Sequence, residues 1–97
     1  MSFQDKVYEI VRKVPRGKVI TYKDIAHQLS TRAYRAVGNA LNRNPHWPDV
    51  PCHRVVSSDG NIGGFARGKD EKKRLLEKEG IPFNSYNIVD FQKYKKY

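Results

Sequence analysis

The chain has 97 residues, 38% of them hydrophobic, which suits one small domain and no more. Its single cysteine excludes an intrachain disulfide, and no apolar run approaches the length of a transmembrane helix. Nineteen Lys and Arg against ten Asp and Glu leave a net charge of +9, a field that draws polyanions such as nucleic acid or an anionic membrane surface.

The N-terminal stretch MSFQDKVYEI lacks the basic-then-apolar order of a secretory signal. With one free thiol, a cytoplasmic protein is expected. Phe3, Val7, Ile10, Val11 and Val14 recur at helical spacing and predict a first helix over 2–14, with Ser2 and Asp5 as a capping pair. Pro15 stops it and Arg16-Gly17 turns the chain. After a short extended stretch from Lys18, Thr21 caps a second helix to about Leu29, with Asp24 three residues on and Ile25, Ala26 and Leu29 facing inward. Ser30 or Thr31 is expected to cap a third helix, to about Asn42, whose buried face is Ala33, Ala36, Val37, Ala40 and Leu41. Two short helices joined by a tight turn make a helix-turn-helix pattern.

Pro45, Pro48 and Pro51 exclude helix from the next stretch, which must be an ordered loop. Arg54 to Val56 reads as a short strand. Asp59-Gly60 is a turn signal that can return the chain through Asn61-Ile62 as a second strand. Gly63-Gly64 leaves room for a close approach. Lys69 to Glu79 predicts a polar helix anchored by Leu75 and Leu76 and stopped by Gly80. Beyond it, Ile81–Phe83 and Ile88-Val89 can pair around Asn84–Asn87, and the basic, aromatic tail, 84–97, is expected to fray at its end. The expected fold is mainly α: a single winged helix-turn-helix-like domain over 1–97 with short β-hairpin elements.

The segment Pro51-Cys52-His53-Arg54-Val55-Val56 carries the most chemistry. A thiol next to an imidazole can yield a thiolate nucleophile, and a nearby base or positive surroundings would raise the thiolate fraction. On an extended strand the two side chains point to opposite faces, so a bridging water or a tight turn imposed by Pro51 would have to link them. A lone cysteine is more often a small buried hydrophobe, and the dipeptide alone shifts that balance only slightly. His46, Asp49, Cys52 and His53 lie close in sequence but lack the paired ligands of structural zinc sites, so no metal is expected. On the third helix, Arg32, Arg35, Asn39, Asn42 and Arg43 lie on or near one polar side, suited to phosphates and base edges. Ala33, Ala36 and Gly38 keep this helix thin enough for a narrow groove.

Several segments match a known family in order and spacing: Lys18-Val19-Ile20-Thr21-Tyr22, Arg35-Ala36-Val37-Gly38-Asn39-Ala40-Leu41, Asn44-Pro45, Pro51 to Val55, and Leu75-Leu76-Glu77-Lys78-Glu79-Gly80. Over about residues 3–83 the chain resembles the C-terminal domain of O6-alkylguanine-DNA alkyltransferases. The resemblance implies that Cys52 takes the alkyl group from guanine O6 in one irreversible turnover. His53 would act on the thiol as a base through water, and Glu79 would orient that His. Tyr22 would donate a proton or hydrogen bond to the leaving guanine, and Asn44 would hold the turn that carries Cys52. Arg35 would enter the duplex and fill the gap left by a flipped-out nucleotide, with the recognition helix in the minor groove. Val55, by its backbone, and Gly64, Phe65 and Ala66 would line the base pocket. At the positions of Phe65 and Ala66 the family often has a tyrosine and a serine.

Double-stranded DNA containing O6-alkylguanine is thus the expected partner, with no cofactor, no membrane contact and a monomeric protein. Typical members carry an additional N-terminal domain, for which this sequence shows no counterpart. The alternative is an alkyltransferase-like sensor that binds the lesion and recruits excision repair without transfer, in which tryptophan or another residue usually replaces the cysteine. A helix-turn-helix transcription factor is a more distant alternative that leaves the Cys-His segment idle.

Overall fold

The computed structural model describes all 97 residues. Helix α1 spans Phe3–Arg12. Ser2 caps it reciprocally with Asp5: the Ser2 hydroxyl accepts the Asp5 N–H and the Asp5 carboxylate accepts the Ser2 N–H, satisfying two end donors. Val7, Val11 and Val14 are fully buried along one stripe, as the spacing predicts. Strand β1, Ile20–Thr21, leads into α2, Tyr22–Gln28, whose cap is the Thr21 hydroxyl accepting the Asp24 N–H.

Helix α3 spans Tyr34–Asn42, so it starts later than the capping pattern predicts. Ser30 adopts a left-handed backbone with φ of 55°. That lets the Ser30 N–H donate to His27 O and the Thr31 N–H to Ala26 O, a pair of bonds that closes the end of α2. Ser30 and Thr31 are therefore spent terminating one helix rather than starting the next. Thr31 Oγ1 takes only the Ala33 N–H. Arg32 consequently lies in the connector, and Ala33 is exposed at the α3 N-terminus rather than on its buried face. Val37, Ala40 and Leu41 are the residues that α3 buries.

A single 3₁₀ turn, Cys52–Arg54, precedes strand β2, Val55–Val56. No hairpin joins β2 to Asn61-Ile62. Instead β2 pairs in parallel with β1, Ile20 opposite Val55 and Thr21 opposite Val56, while Asn61 bridges to Asn87. Successive strand residues face opposite ways, so this short pair divides the interior. Ile20 and Val55 join α1, α2 and α3 in one core cluster; Val19 and Val56 join Ile62, Leu76, Ile81 and Ile88 in a second.

Helix α4, Lys69–Lys78, packs Leu76 into the second cluster, with Leu75 half-buried, and ends where Gly80 takes φ of 92°. Phe83–Asn84 (β3) and Asn87–Ile88 (β4) then form the antiparallel hairpin foreseen at Asn84–Asn87. The last residues do not hang free as expected. Helix α5, Phe91–Tyr94, lies against the second cluster. The Val19 N–H donates to Tyr94 O and the Lys96 N–H donates to Val19 O, each at 2.8 Å. Gly60, at φ of 87°, lies under the Phe91 ring, where an added Cβ would come within 3.1 Å. The fold is mainly α and winged helix-turn-helix-like, with α2 and α3 as the helix pair and β3–β4 as the hairpin. No helix is long and apolar enough to cross a membrane.

Candidate functional site

The 3₁₀ turn is set up by the proline-rich loop before it. Asn44 braces that loop from both sides: its Nδ2–H donates to Val50 O and its Oδ1 accepts the His46 N–H, both at 2.8 Å. The Arg54 N–H donates to Pro51 O at 2.9 Å, closing the turn. Cys52 and His53 therefore sit on a tight turn, with about three residues per revolution, and not on an extended strand. Their side chains diverge, the thiol toward the end of α3 and the imidazole toward α4.

His53 is 4% exposed and its Nε2 lies 2.8 Å from Glu79 Oε2. Glu79, the residue at the C-terminal cap of α4, also receives two hydrogen bonds from Arg54, Nε to Oε1 and Nη2 to Oε2, each at 2.9 Å. Arg54 Nη1 donates further to Val14 O, so this fork ties α1, the 3₁₀ turn and α4 together. Burial alone would raise the Glu79 carboxyl, but the bonds from Arg54 and His53 outweigh it and hold it below the ordinary glutamate value. Burial lowers the basicity of His53, against the opposing pull of Glu79. With Glu79 ionised, Nε2 is the donor and Nδ1 the acceptor. Nδ1 is taken up by the Trp47 indole N–H at 3.2 Å.

Cys52 is 8% exposed and free. It borders a cavity of about 90 Å³, together with Leu41 and Asn42 of α3, Asn44, Trp47 and the Phe65-Ala66-Arg67 loop. Burial pushes its thiol up, and Asn44, Lys72 and Arg67 only partly oppose this. At rest Cys52 is thus a thiol, contrary to the expectation that its surroundings raise the thiolate fraction. The desolvation of a nearly enclosed sulfur exceeds the attraction of cations that do not touch it.

Lys72 was not marked by any sequence pattern. It lies on the most polar helix of the chain, yet it is 0% exposed. Its Nζ donates to Val55 O at 2.6 Å and to Gly64 O at 2.9 Å, clamping β2 to the loop that borders the cavity. Burial drives its ammonium down to about 7, and a Cys52 thiolate would pull it back up. Lys72→Met removes this cation and leaves the thiol environment more apolar. The pH midpoint for alkylation of Cys52 by iodoacetamide is expected to move upward in the variant. A midpoint equal to that of wild type means Lys72 acts on the backbone alone.

The other anticipated residues fall in several places. Phe65 and Ala66 border the Cys52 cavity; Val55 and Gly64 do not, and their carbonyls accept from Lys72. Tyr22 also lies outside it. Its hydroxyl donates to Gly64 O at 3.4 Å, its ring borders a separate concavity with Lys23, Tyr34, Ser57 and Ser58, and burial raises its phenol. Arg35 and Asn39 are exposed on α3, with Arg43 exposed at its C-terminal cap, and neither arginine forms an ion pair. Ala36 and Gly38 are half-buried on the same helix, while Arg32 sits beside His27, Ser30 and Thr31 in the connector. His46, Asp49, Cys52 and His53 do not converge: His46 packs edge-on to Tyr8, Asp49 accepts from Arg12, and His53 binds Glu79. Trp47 and Arg67 are further cavity residues without a sequence signal.

The combination places the chain among helix-turn-helix-like domains that bury a single thiol at the end of the second helix of the pair. More particularly, it belongs to the 6-O-methylguanine DNA methyltransferase family, whose DNA binding domain matches residues 2–81. A curated relative, the methylated-DNA–protein-cysteine methyltransferase of Metallosphaera sedula, is 53% identical over 79 residues, covering 81% of this chain and 49% of that protein. The crystal structure of O6-methylguanine-DNA methyltransferase from Pyrococcus kodakaraensis superposes with a TM-score of 0.74 at 54% identity, covering 84% of this chain and 47% of that one. The structure of S. pombe Atl1 in complex with damaged DNA containing O6-carboxymethylguanine superposes with a TM-score of 0.82 at 32% identity, covering 98% of this chain and 94% of that one. The chain spans about half the length of the curated relatives it matches.

Proposed function

We propose that this domain repairs DNA by moving an alkyl group from O6 of a guanine, flipped out of the duplex, onto Sγ of Cys52. The S–C bond forms as the C–O6 bond breaks, and the thiol proton leaves with the guanine. A thioether is a poor leaving group and no second nucleophile borders the cavity, so the reaction is stoichiometric, one alkyl group per molecule. The observation that carries this reading is the free Cys52 beside α3, with His53 next to it on the same turn hydrogen-bonded to Glu79 at the end of α4. Curated relatives bearing the name methylated-DNA–protein-cysteine methyltransferase support the transfer, and a structural neighbour bound to O6-carboxymethylguanine DNA supports the binding of the lesion.

In this reading Cys52 is the nucleophile, His53 the base, Glu79 its orienting carboxylate and Asn44 the brace of the turn. Tyr22, whose hydroxyl rests on Gly64 O, donates a proton or hydrogen bond to the guanine as it leaves. Phe65, Ala66, Gly64 and the Val55 backbone bound the base pocket in the open state. Arg35 takes the place of the extruded base. Arg32, Asn39 and Arg43 contact the backbone, and Ala36 and Gly38 let the helix approach. The chain acts as a cytoplasmic monomer without a cofactor. Incubation with O6-methylguanine duplex, followed by intact-mass measurement, tests the reading directly.

Gly38 allows a second check. A Cβ at this position would meet nothing within 4 Å, so internal packing gives no reason for a glycine inside α3. A helix-interior glycine is less favourable than alanine by about 0.5–1 kcal/mol. Gly38→Ala is expected to stabilise the fold by a similar amount and to weaken binding to lesion duplex, because the new methyl projects where the groove must close. Thermal melts and fluorescence anisotropy on one preparation measure both. A stabilised variant with undiminished affinity removes this face of α3 from the interface.

A further inference from the structure

Both ring nitrogens of His53 are engaged in this structure, one by Glu79 and one by Trp47. A base that is to take the Cys52 proton needs Nδ1 free, and the indole N–H occupies it. The indole ring stands edge-on to the imidazole, centroids 6.2 Å apart at 74°; it also packs against the rim of the core cluster and carries the Arg67 guanidinium 4.3 Å above the ring. Trp47 and Arg67 are also walls of the Cys52 cavity. At about 90 Å³ that cavity is far below the roughly 300–1,000 Å³ of pockets that enclose small-molecule ligands. A purine cannot enter unless a wall moves.

Among the walls, Trp47 is the one whose movement also changes the chemistry. Leu41 and Cys52 are fixed in the core cluster and Asn44 is tied to Val50. Trp47 is only partly buried, on a loop whose Pro45, His46, Pro48 and Asp49 are exposed, and Arg67 is exposed and forms no ion pair. We propose that Trp47 is a positioning residue that keeps the Cys52–His53 relay shut, its indole N–H occupying His53 Nδ1 until an entering base displaces the ring. Opening would then supply two things at once, space for the base and a free acceptor for the thiol proton. It also protects the thiol between encounters, which matters for a protein that can react only once. The inference rests on the reading of Cys52 as nucleophile and His53 as its base.

The groups facing His53 are Glu79 from α4, Arg54 from its own turn, Lys72 from α4 and Trp47 from the preceding loop. Trp47→Phe keeps an aromatic ring but removes the N–H with the rest of the five-membered ring, leaving Glu79, Arg54 and Lys72 in place; wider access to the cavity would change the rate alone, whereas a freed Nδ1 also moves the pH profile. The free variant, without DNA, is expected to react with iodoacetamide at Cys52 about two- to ten-fold faster than wild type at pH 7, the factor set by one ordinary hydrogen bond. Its rate–pH profile should shift toward acid. A folded variant with unchanged rate and profile overturns the proposal.

A second measurement needs no change at Trp47, the only tryptophan in the chain. In Cys52→Ser, which cannot transfer, tryptophan emission should change on adding O6-methylguanine duplex and stay unchanged with the same duplex undamaged. An identical response to both duplexes, or none to either while anisotropy reports binding, overturns the gate. The two ideas fail separately. If wild type takes no methyl from DNA but Trp47→Phe still speeds iodoacetamide labelling, the gate stands and the transferase reading falls. If transfer occurs and Trp47→Phe alters neither rate nor profile, the gate alone falls.

Discussion

Incubated with excess O6-methylguanine duplex, the chain is expected to gain one methyl group in place of the thiol hydrogen, and no more. Peptide mapping should put it on the fragment containing Cys52, the only thiol available. The yield should level off at one methyl per molecule. Cys52→Ser is expected to abolish the gain, since a serine hydroxyl is a far weaker nucleophile near neutral pH. It should still fold, because serine is close to cysteine in size and the side chain, although in the core cluster, borders a cavity on one side. It should still bind the lesion duplex, because α3 and the pocket walls are untouched. The free thiol is buried and protonated at rest, so reaction in the absence of DNA should be slow. Tight lesion binding by wild type with no mass gain under reducing conditions would overturn transfer and leave the damage-sensor reading.

Glu79→Gln is expected to damage both stability and transfer. The side chain of Glu79 is 7% exposed and that of Arg54 17%, and the pair is joined by two hydrogen bonds. Breaking a buried ion pair costs about 3–5 kcal/mol; the lower end applies here, since the amide oxygen still accepts one of the bonds. For a domain of this size that lowers Tm by more than about 10 °C. In transfer, loss of the carboxylate that steadies a charged His53 is expected to slow the reaction by about 10²-fold or more. An unchanged transfer rate in a folded Glu79→Gln preparation would remove the carboxylate from the mechanism and leave it a structural tie.

The pH dependence separates these contributions. Glu79 is held below its ordinary value, 4.5, so its stabilisation is present above that pH and is lost as acid takes the pH through the lower folded value. His53 is likewise lowered, from 6.5, so the unfolded chain takes up that proton first and stability falls as the pH drops below about 6.5. Both slopes have the same sign. Melting curves between pH 7 and pH 3 should therefore show two successive losses in wild type, and Glu79→Gln should lack the more acidic one. Lys72 acts at the other end: with a folded value of about 7 against 10.5, it makes the fold more stable as pH rises across that interval.

The helices were legible in the sequence where their ends are chemical. Ser2 with Asp5 and Thr21 with Asp24 are capping pairs that need only their own first turn, so local pattern is sufficient. The start of α3 was not legible, because Ser30 and Thr31 can either begin one helix or close another, and the left-handed turn that decides it depends on the packing of α2 against α3. The parallel pairing of Ile20 with Val55 was hidden too: two-residue strands have no period of their own, and these partners lie far apart along the chain. The Cys-His-Arg segment, Asn44 and Glu79 were marked by a family resemblance carried in their order and spacing, which implied a nucleophile, its base and a carboxylate. Only the tertiary structure decided the state of that set. It buried the thiol and so kept it protonated, turned Lys72 inward from a polar helix, and brought the Trp47 N–H onto His53. Burial and through-space hydrogen bonds fix a side chain's protonation, and both are properties of what packs against it, which no run of neighbouring residues specifies.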